Sequence, residues 1–146
     1  MTIGAGYAHT CLIDKNEEIN CYGLDTYAQV SDTPTSDTYN FISSGRDHNC
    51  AISSTTFKIT CWGWDDDNQV SDTPTSDIYD FISSGTSHNC AIVSTTSKIT
   101  CWGYDDFNQT SDPNNADLQL FVPTPCQGKF LSFTNTKKPT PLTSKT

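Results

Sequence analysis

Apolar residues in this chain come in short alternating runs, with no stripe at helical spacing. In "HNCAISSTTFKITCWG", residues 48 to 63, Cys50 and Ile52 are two apart, and so are Ile59 and Cys61 beyond a polar break. Period two over a few residues predicts strands, and a break rich in Ser and Thr predicts a hairpin. The full unit reads as a short strand over Tyr39 to Ser43 and a turn at Gly45. One hairpin arm follows at about His48 to Ser53 and the other at about Lys58 to Trp62. Asp65 to Asn68 make a polar tip.

The pattern is written three times. "FISSGRDHNCAISSTTFKITCWG" (41 to 63) and "FISSGTSHNCAIVSTTSKITCWG" (81 to 103) differ at four of 23 positions. The first copy diverges more, and its hairpin is one residue shorter. It keeps Ile3, Gly6, His9, Cys11, Ile13, Ile19, Cys21, Gly23, Asp25 and Gln29 in frame. The period is 40, and Phe121–Val122 begin a fourth copy that breaks off at "PTPCQGKF". The expected architecture is all-β, built of short antiparallel strands in three repeats plus the first strand of a fourth. The repeat domain covers 1–133, with repeats at about 3–40, 41–80, 81–120 and a partial one at 121–133. Residues 134–146, rich in Thr, Pro and Lys, read as a flexible tail.

The cysteines follow from the register. Facing residues of an antiparallel hairpin have a constant index sum. Cys50 opposite Cys61 sets Ile52 opposite Ile59 on the same side of the sheet; Cys90 opposite Cys101 sets Ile92 opposite Ile99. Cys11 opposite Cys21 sets Ile13 opposite Ile19, in the shorter hairpin too. This predicts three cross-strand disulfides, Cys11–Cys21, Cys50–Cys61 and Cys90–Cys101, since facing Cα atoms lie about 4.5–5.5 Å apart. Cys126 is left over, unpaired or bridging to another chain. The competing reading is a zinc site of one His and two Cys per repeat, which lacks a fourth ligand and a C-x-x-C knuckle. A Cys–His catalytic pair in three equivalent copies is less apt still. His9, His48 and His88 then read as half-buried scaffold bonding a neighbouring strand or loop.

"ISSGxxHxCAI", a variable hairpin, "CWG" and a closing "NQ" resemble the regulator of chromosome condensation repeat. The tip ends in Asn68-Gln69 and Asn108-Gln109 where the repeat usually has Gly-Gln. The resemblance covers residues 3 to about 122. It implies a β-propeller of four-stranded blades, with Trp62, Trp102 and Tyr22 packed between blades. It does not fix a function, because relatives act on small GTPases or chromatin, inhibit enzymes or bind other proteins. Disulfide-bearing versions look like extracellular or cell-surface modules.

Composition narrows the function. The net charge of −9 and pI near 4.4 argue against nucleic acid and against an anionic membrane surface. No apolar run approaches the roughly 20 residues of a membrane span, so no membrane insertion is expected. The N-terminus lacks the basic and apolar regions of a signal peptide, yet seven cysteines suggest an oxidising compartment. A segment cut from a longer chain would reconcile the two.

Asp65, Asp66, Asp67, Asp105 and Asp106 sit in oxygen-rich tips that are weak candidates for calcium, without EF-hand spacing. Asn108 opens the N-glycosylation sequon "NQT". Thr134, Thr136, Thr140, Thr143 and Thr146 are candidates for O-glycans. No enzyme motif appears, and no catalytic residue or cofactor is expected. Three repeats are too few for a closed propeller, so partners are expected to be other protein chains. The leading expectation is an extracellular structural or adhesive protein that self-associates, head to tail into a filament. The alternative is a protein-binding piece of a larger propeller.

Overall fold

The computed structural model describes residues 1–111. The partial fourth repeat, Cys126 and the threonines of the tail lie outside the described residues. Nine strands follow in order: β1 (Thr2–Ala5), β2 (His9–Ile13), β3 (Ile19–Gly23), β4 (Tyr39–Ser44), β5 (His48–Ser53), β6 (Ile59–Gly63), β7 (Tyr79–Ser84), β8 (His88–Val93) and β9 (Ile99–Gly103). They form three antiparallel sheets of three strands, β1-β2-β3, β4-β5-β6 and β7-β8-β9, each one blade. The four-stranded blade implied by the resemblance is not what these residues form. After each third strand the chain enters a run of turns instead (24–38 and 64–78), with side-chain caps where a ladder would be.

The hairpin registers are those the sequence implies: Cys11↔Cys21 with Ile13↔Ile19, Cys50↔Cys61 with Ile52↔Ile59, and Cys90↔Cys101 with Ile92↔Ile99. Each cysteine pair is a disulfide, with Cα atoms 4.1 Å apart.

A single three-stranded sheet has no interior, so the core lies between blades. One cluster joins Cys11, Ile13 and Ile19 of the first blade to Tyr39, Ile42, Ala51 and Trp62 of the second. The next joins Cys50, Ile52 and Ile59 of the second to Tyr79, Ile82, Ala91, Val93 and Trp102 of the third. Every blade thus has two faces. The disulfide and the isoleucine pair point forward to the next blade. The aromatic and small residues point back to the one before.

A polar contact is set into each of these cores. His9 Nε2 lies 2.9 Å from Asn49 Oδ1, and His48 Nε2 lies 2.9 Å from Asn89 Oδ1. Asn49 Nδ2 donates to the Gln29 carbonyl at 2.9 Å, and Asn89 Nδ2 to that of Gln69 at 2.8 Å. Each amide's oxygen is therefore its acceptor, so each histidine carries its proton on Nε2. Trp62 and Trp102 donate their indole N–H to the same two carbonyls. Both asparagines, both glutamines and His48 are fully buried. His9 and His48 are more enclosed than the half-buried scaffold the sequence suggests, whereas His88 is half-buried as expected.

The ring of each histidine lies close against its own blade's glycine, Gly6, Gly45 or Gly85. A Cβ on Gly45 or Gly85 would collide with the His48 or His88 imidazole, so these positions exclude any side chain. Burial pushes the His48 pKa down, with the Asn89 hydrogen bond pulling the other way and losing. Native His48 thus resists a proton that the unfolded chain accepts near pH 6.5. Its contribution is whole above about pH 6.5 and is lost as pH falls from there towards the lower native value.

Three measurements check this account. Replacing Cys50 and Cys61 together by Ala is expected to lower the unfolding free energy by roughly 2–3 kcal/mol in urea titrations. Asn89→Leu strands the His48 N–H in the core, with an expected loss of about 1–3 kcal/mol. Unfolding at about pH 6, where the carboxylates are ionised in both states, is expected to take up protons.

Candidate protein-interaction site

The tip loops position the groups that one blade offers the next. Asp25 accepts the backbone N–H groups of Val30 (2.8 Å) and Ser31 (2.9 Å). Asp65 does the same for Val70 and Ser71, and Asp105 for Thr110 and Ser111. Hydrogen bonding holds Asp25 below its usual range. Partial burial opposes ionisation of Asp65, but the Ser71 and Val70 N–H groups outweigh it. The Ser111 hydroxyl, then Thr110, bring Asp105 down to about 2. Each glutamine side chain closes its own loop by accepting an N–H: Gln29 from Tyr27, Gln69 from Asp67, Gln109 from Phe107. The main-chain carbonyl of Gln29 or Gln69 is then free to receive the following blade. Residues 28, 68 and 108 have φ near +60°, a conformation that suits Asn68 and Asn108 better than Ala28.

The aspartates considered for calcium are distributed around these caps. Asp65 and Asp105 bind loop N–H groups. Asp66 is exposed, and Asp67 is half-buried. Asp106 is exposed and accepts the Tyr104 hydroxyl at 3.0 Å. Among the described residues no group of three or more His, Cys, Asp or Glu converges to hold a metal ion. The zinc alternative loses its sulfur ligands, because the repeat cysteines are disulfide-bonded. Asn108 of the sequon is exposed, in the loop that carries Gln109.

The two ends of the blade stack are unlike. Forward of the third blade, His88 and Gln109 repeat the socket that His48 and Gln69 present to Asn89 and Trp102. Among the described residues no Asn or Trp enters it. A cavity of about 430 Å³ lies there, lined by Asp67, Ser87, His88, Tyr104, Phe107 and Gln109. Cys90, Ile92 and Ile99, whose counterparts Cys50, Ile52 and Ile59 are buried, are here half-buried. Phe107 beside the socket is 81% exposed.

At the other end the first blade turns its backward face outwards. Ile3 is 69% and Tyr22 62% exposed, so Tyr22 does not pack between blades as the resemblance implies. The reason is that no described blade precedes it. In register, Thr10↔Tyr22 stands where Asn49↔Trp62 and Asn89↔Trp102 stand in the later blades. The first blade therefore lacks the amide and indole pair that joins the others. Asn49, Asn89 and the glutamine carbonyls are not among the residues the sequence pattern singles out. The available signal was "HNC" in two repeats against "HTC" in the first, paired with Trp in two and Tyr in the first.

No family model matches the chain, and no curated protein does. Solved structures do. The entire ectodomain of the Physcomitrella patens receptor kinase CR4 aligns with a TM-score of 0.66 at 24% identity, over 73% of this chain and 30% of that one. Human WBSCR16 gives 0.65 at 15% identity, over 80% and 36%. Prp20p from Saccharomyces cerevisiae, studied for binding to Gsp1p and histones, gives 0.60 at 16% identity, over 72% and 31%. The chain spans about a third of the length of these relatives. Prp20 is the yeast regulator of chromosome condensation protein, and the described residues of the present chain carry that repeat's blade fold, in a form with a disulfide joining the second and third strands of each blade.

Proposed function

We propose that this chain is an extracellular protein-interaction module, a stretch of propeller whose open blade faces bind other protein chains. The observation that carries this reading is the open socket of the third blade. His88, Gln109 and the half-buried Cys90 and Ile92 repeat a face that, between the described blades, is covered. The occupant that fits is a blade whose second and third strands present Asn opposite Trp. Its amide would accept from His88, and its N–H groups would donate to the Gln109 carbonyl. Three disulfides support an oxidising compartment. An N-glycan at Asn108 belongs to the same reading, and no catalysis is assigned.

Self-association is the second reading, favoured by the exposed backward face of the first blade. A second copy docking head to tail would bring Thr10 and Tyr22 to the socket, and repetition would give a filament. A threonine hydroxyl is shorter than a carboxamide, and tyrosine has no indole N–H. Both changes weaken the joint, which favours a foreign Asn–Trp blade over a second copy.

Light scattering on size-exclusion fractions separates the two. Thr10→Asn combined with Tyr22→Trp makes the first blade a matched plug. Three hydrogen bonds, His88 to the amide and the amide and indole N–H groups to the Gln109 carbonyl, at about 0.5–1.5 kcal/mol each, are expected to tighten head-to-tail association about tenfold or more over the natural chain. Equal, tight association of both chains would favour the filament and overturn the selective socket.

A further inference from the structure

The second and third repeats are joined by a lysine that the first lacks. Lys58, just before β6, donates from Nζ to the carbonyls of Thr75 (2.7 Å) and Asp77 (2.9 Å) in the linker ahead of β7. The same linker sequence, Thr-Pro-Thr-Ser-Asp, precedes β4 at residues 33–37. There the position of Lys58 is held by Glu18. No donor among the described residues reaches the carbonyls of Thr35 or Asp37. In place of the lysine is a cleft of about 630 Å³, lined by Glu18, Asn20, Thr35, Ser36, Asp37 and Thr55.

We propose that this cleft is an ammonium-binding site that takes a lysine side chain from the chain's own C-terminal segment, residues 134–146. The second repeat holds an ammonium on the equivalent carbonyls, so the backbone geometry suits that ion. Glu18 makes the first repeat's version more attractive to a cation supplied from elsewhere. Asp37 adds to this. The Ser53 hydroxyl, the Thr38 N–H and the Thr55 hydroxyl hold its carboxyl below the usual range. Its Oδ1 accepts from Thr38 N (2.8 Å) and Thr55 Oγ1 (3.0 Å).

Charge selects the occupant. Residues 1–111 carry four Lys or Arg against fifteen Asp or Glu, a net −11. Residues 134–146 carry Lys137, Lys138 and Lys145 and no Asp or Glu. The segment can serve its own molecule or a neighbouring copy, with the same contacts.

The test is backbone-amide NMR on the full chain at low salt. Lys137→Gln, Lys138→Gln and Lys145→Gln together are expected to shift the Ser36, Asp37 and Thr38 amides. Those shifts should vanish in a Glu18→Lys background, where the new lysine fills the cleft as Lys58 fills its own. Raising the salt should reproduce the effect of removing the lysines, because exposed charges are screened beyond about 10 Å at 0.1 M. Cleft amides that do not respond to the lysine changes would overturn the proposal. So would a response that persists undiminished with Glu18→Lys. N-acetyl-lysine methylamide serves as a probe of the cleft alone. If it shifts these amides while the tail changes do not, the segment is not the occupant.

Discussion

A neutral imidazole, buried between two sheets and bonded to an asparagine of the next one, constrains everything around it. His48 gives up water on all sides and recovers one hydrogen bond, to Asn89. A buried donor without a partner costs about 1–3 kcal/mol, so the asparagine must be held in place. It is held by the Gln69 carbonyl, which also receives Trp102. That carbonyl is held by a loop closed on Asp65 and on the Gln69 side chain. The ring lies where no Cβ fits on Gly45. Histidine, glycine, aspartate and glutamine recur about every 40 residues, and tryptophan in the second and third repeats, because they serve one joint.

The disulfide works beside that joint. It ties β5 to β6 on the face turned to the next blade, next to the isoleucine pair that fills the interface. A thin three-stranded sheet gains little from its own interior, and a cross-link on its most buried face keeps the two arms in register. The fold is a row of interfaces in which each blade supplies half.

Strands, hairpins and cysteine pairing were legible in the sequence, because they rest on local periodicity and on a register that two isoleucines check. The interblade joint was not. Asn49 and Asn89 sit next to a cysteine in a strand and read as ordinary polar positions. Their role depends on a carbonyl 20 residues back in sequence and a histidine about 40 residues back. Tyr22 was misplaced for a related reason: whether an aromatic is covered depends on a neighbouring blade, not on its own repeat. The missing fourth strand reflects side-chain capping by Asp25 and Asp65, which competes with a ladder and leaves no alternation to read.

The blade stack thus has a forward face that repeats a filled socket and a backward face that lacks the matching plug. That asymmetry rests on the direction of a single hydrogen bond. Long-range nitrogen–proton NMR correlation of the imidazoles reports it directly, because it distinguishes the two neutral tautomers. His9 and His48 are both expected to carry the proton on Nε2, with His48 still neutral at a pH where a free histidine is charged. A proton on Nδ1, or a His48 that titrates like a free histidine, would contradict it.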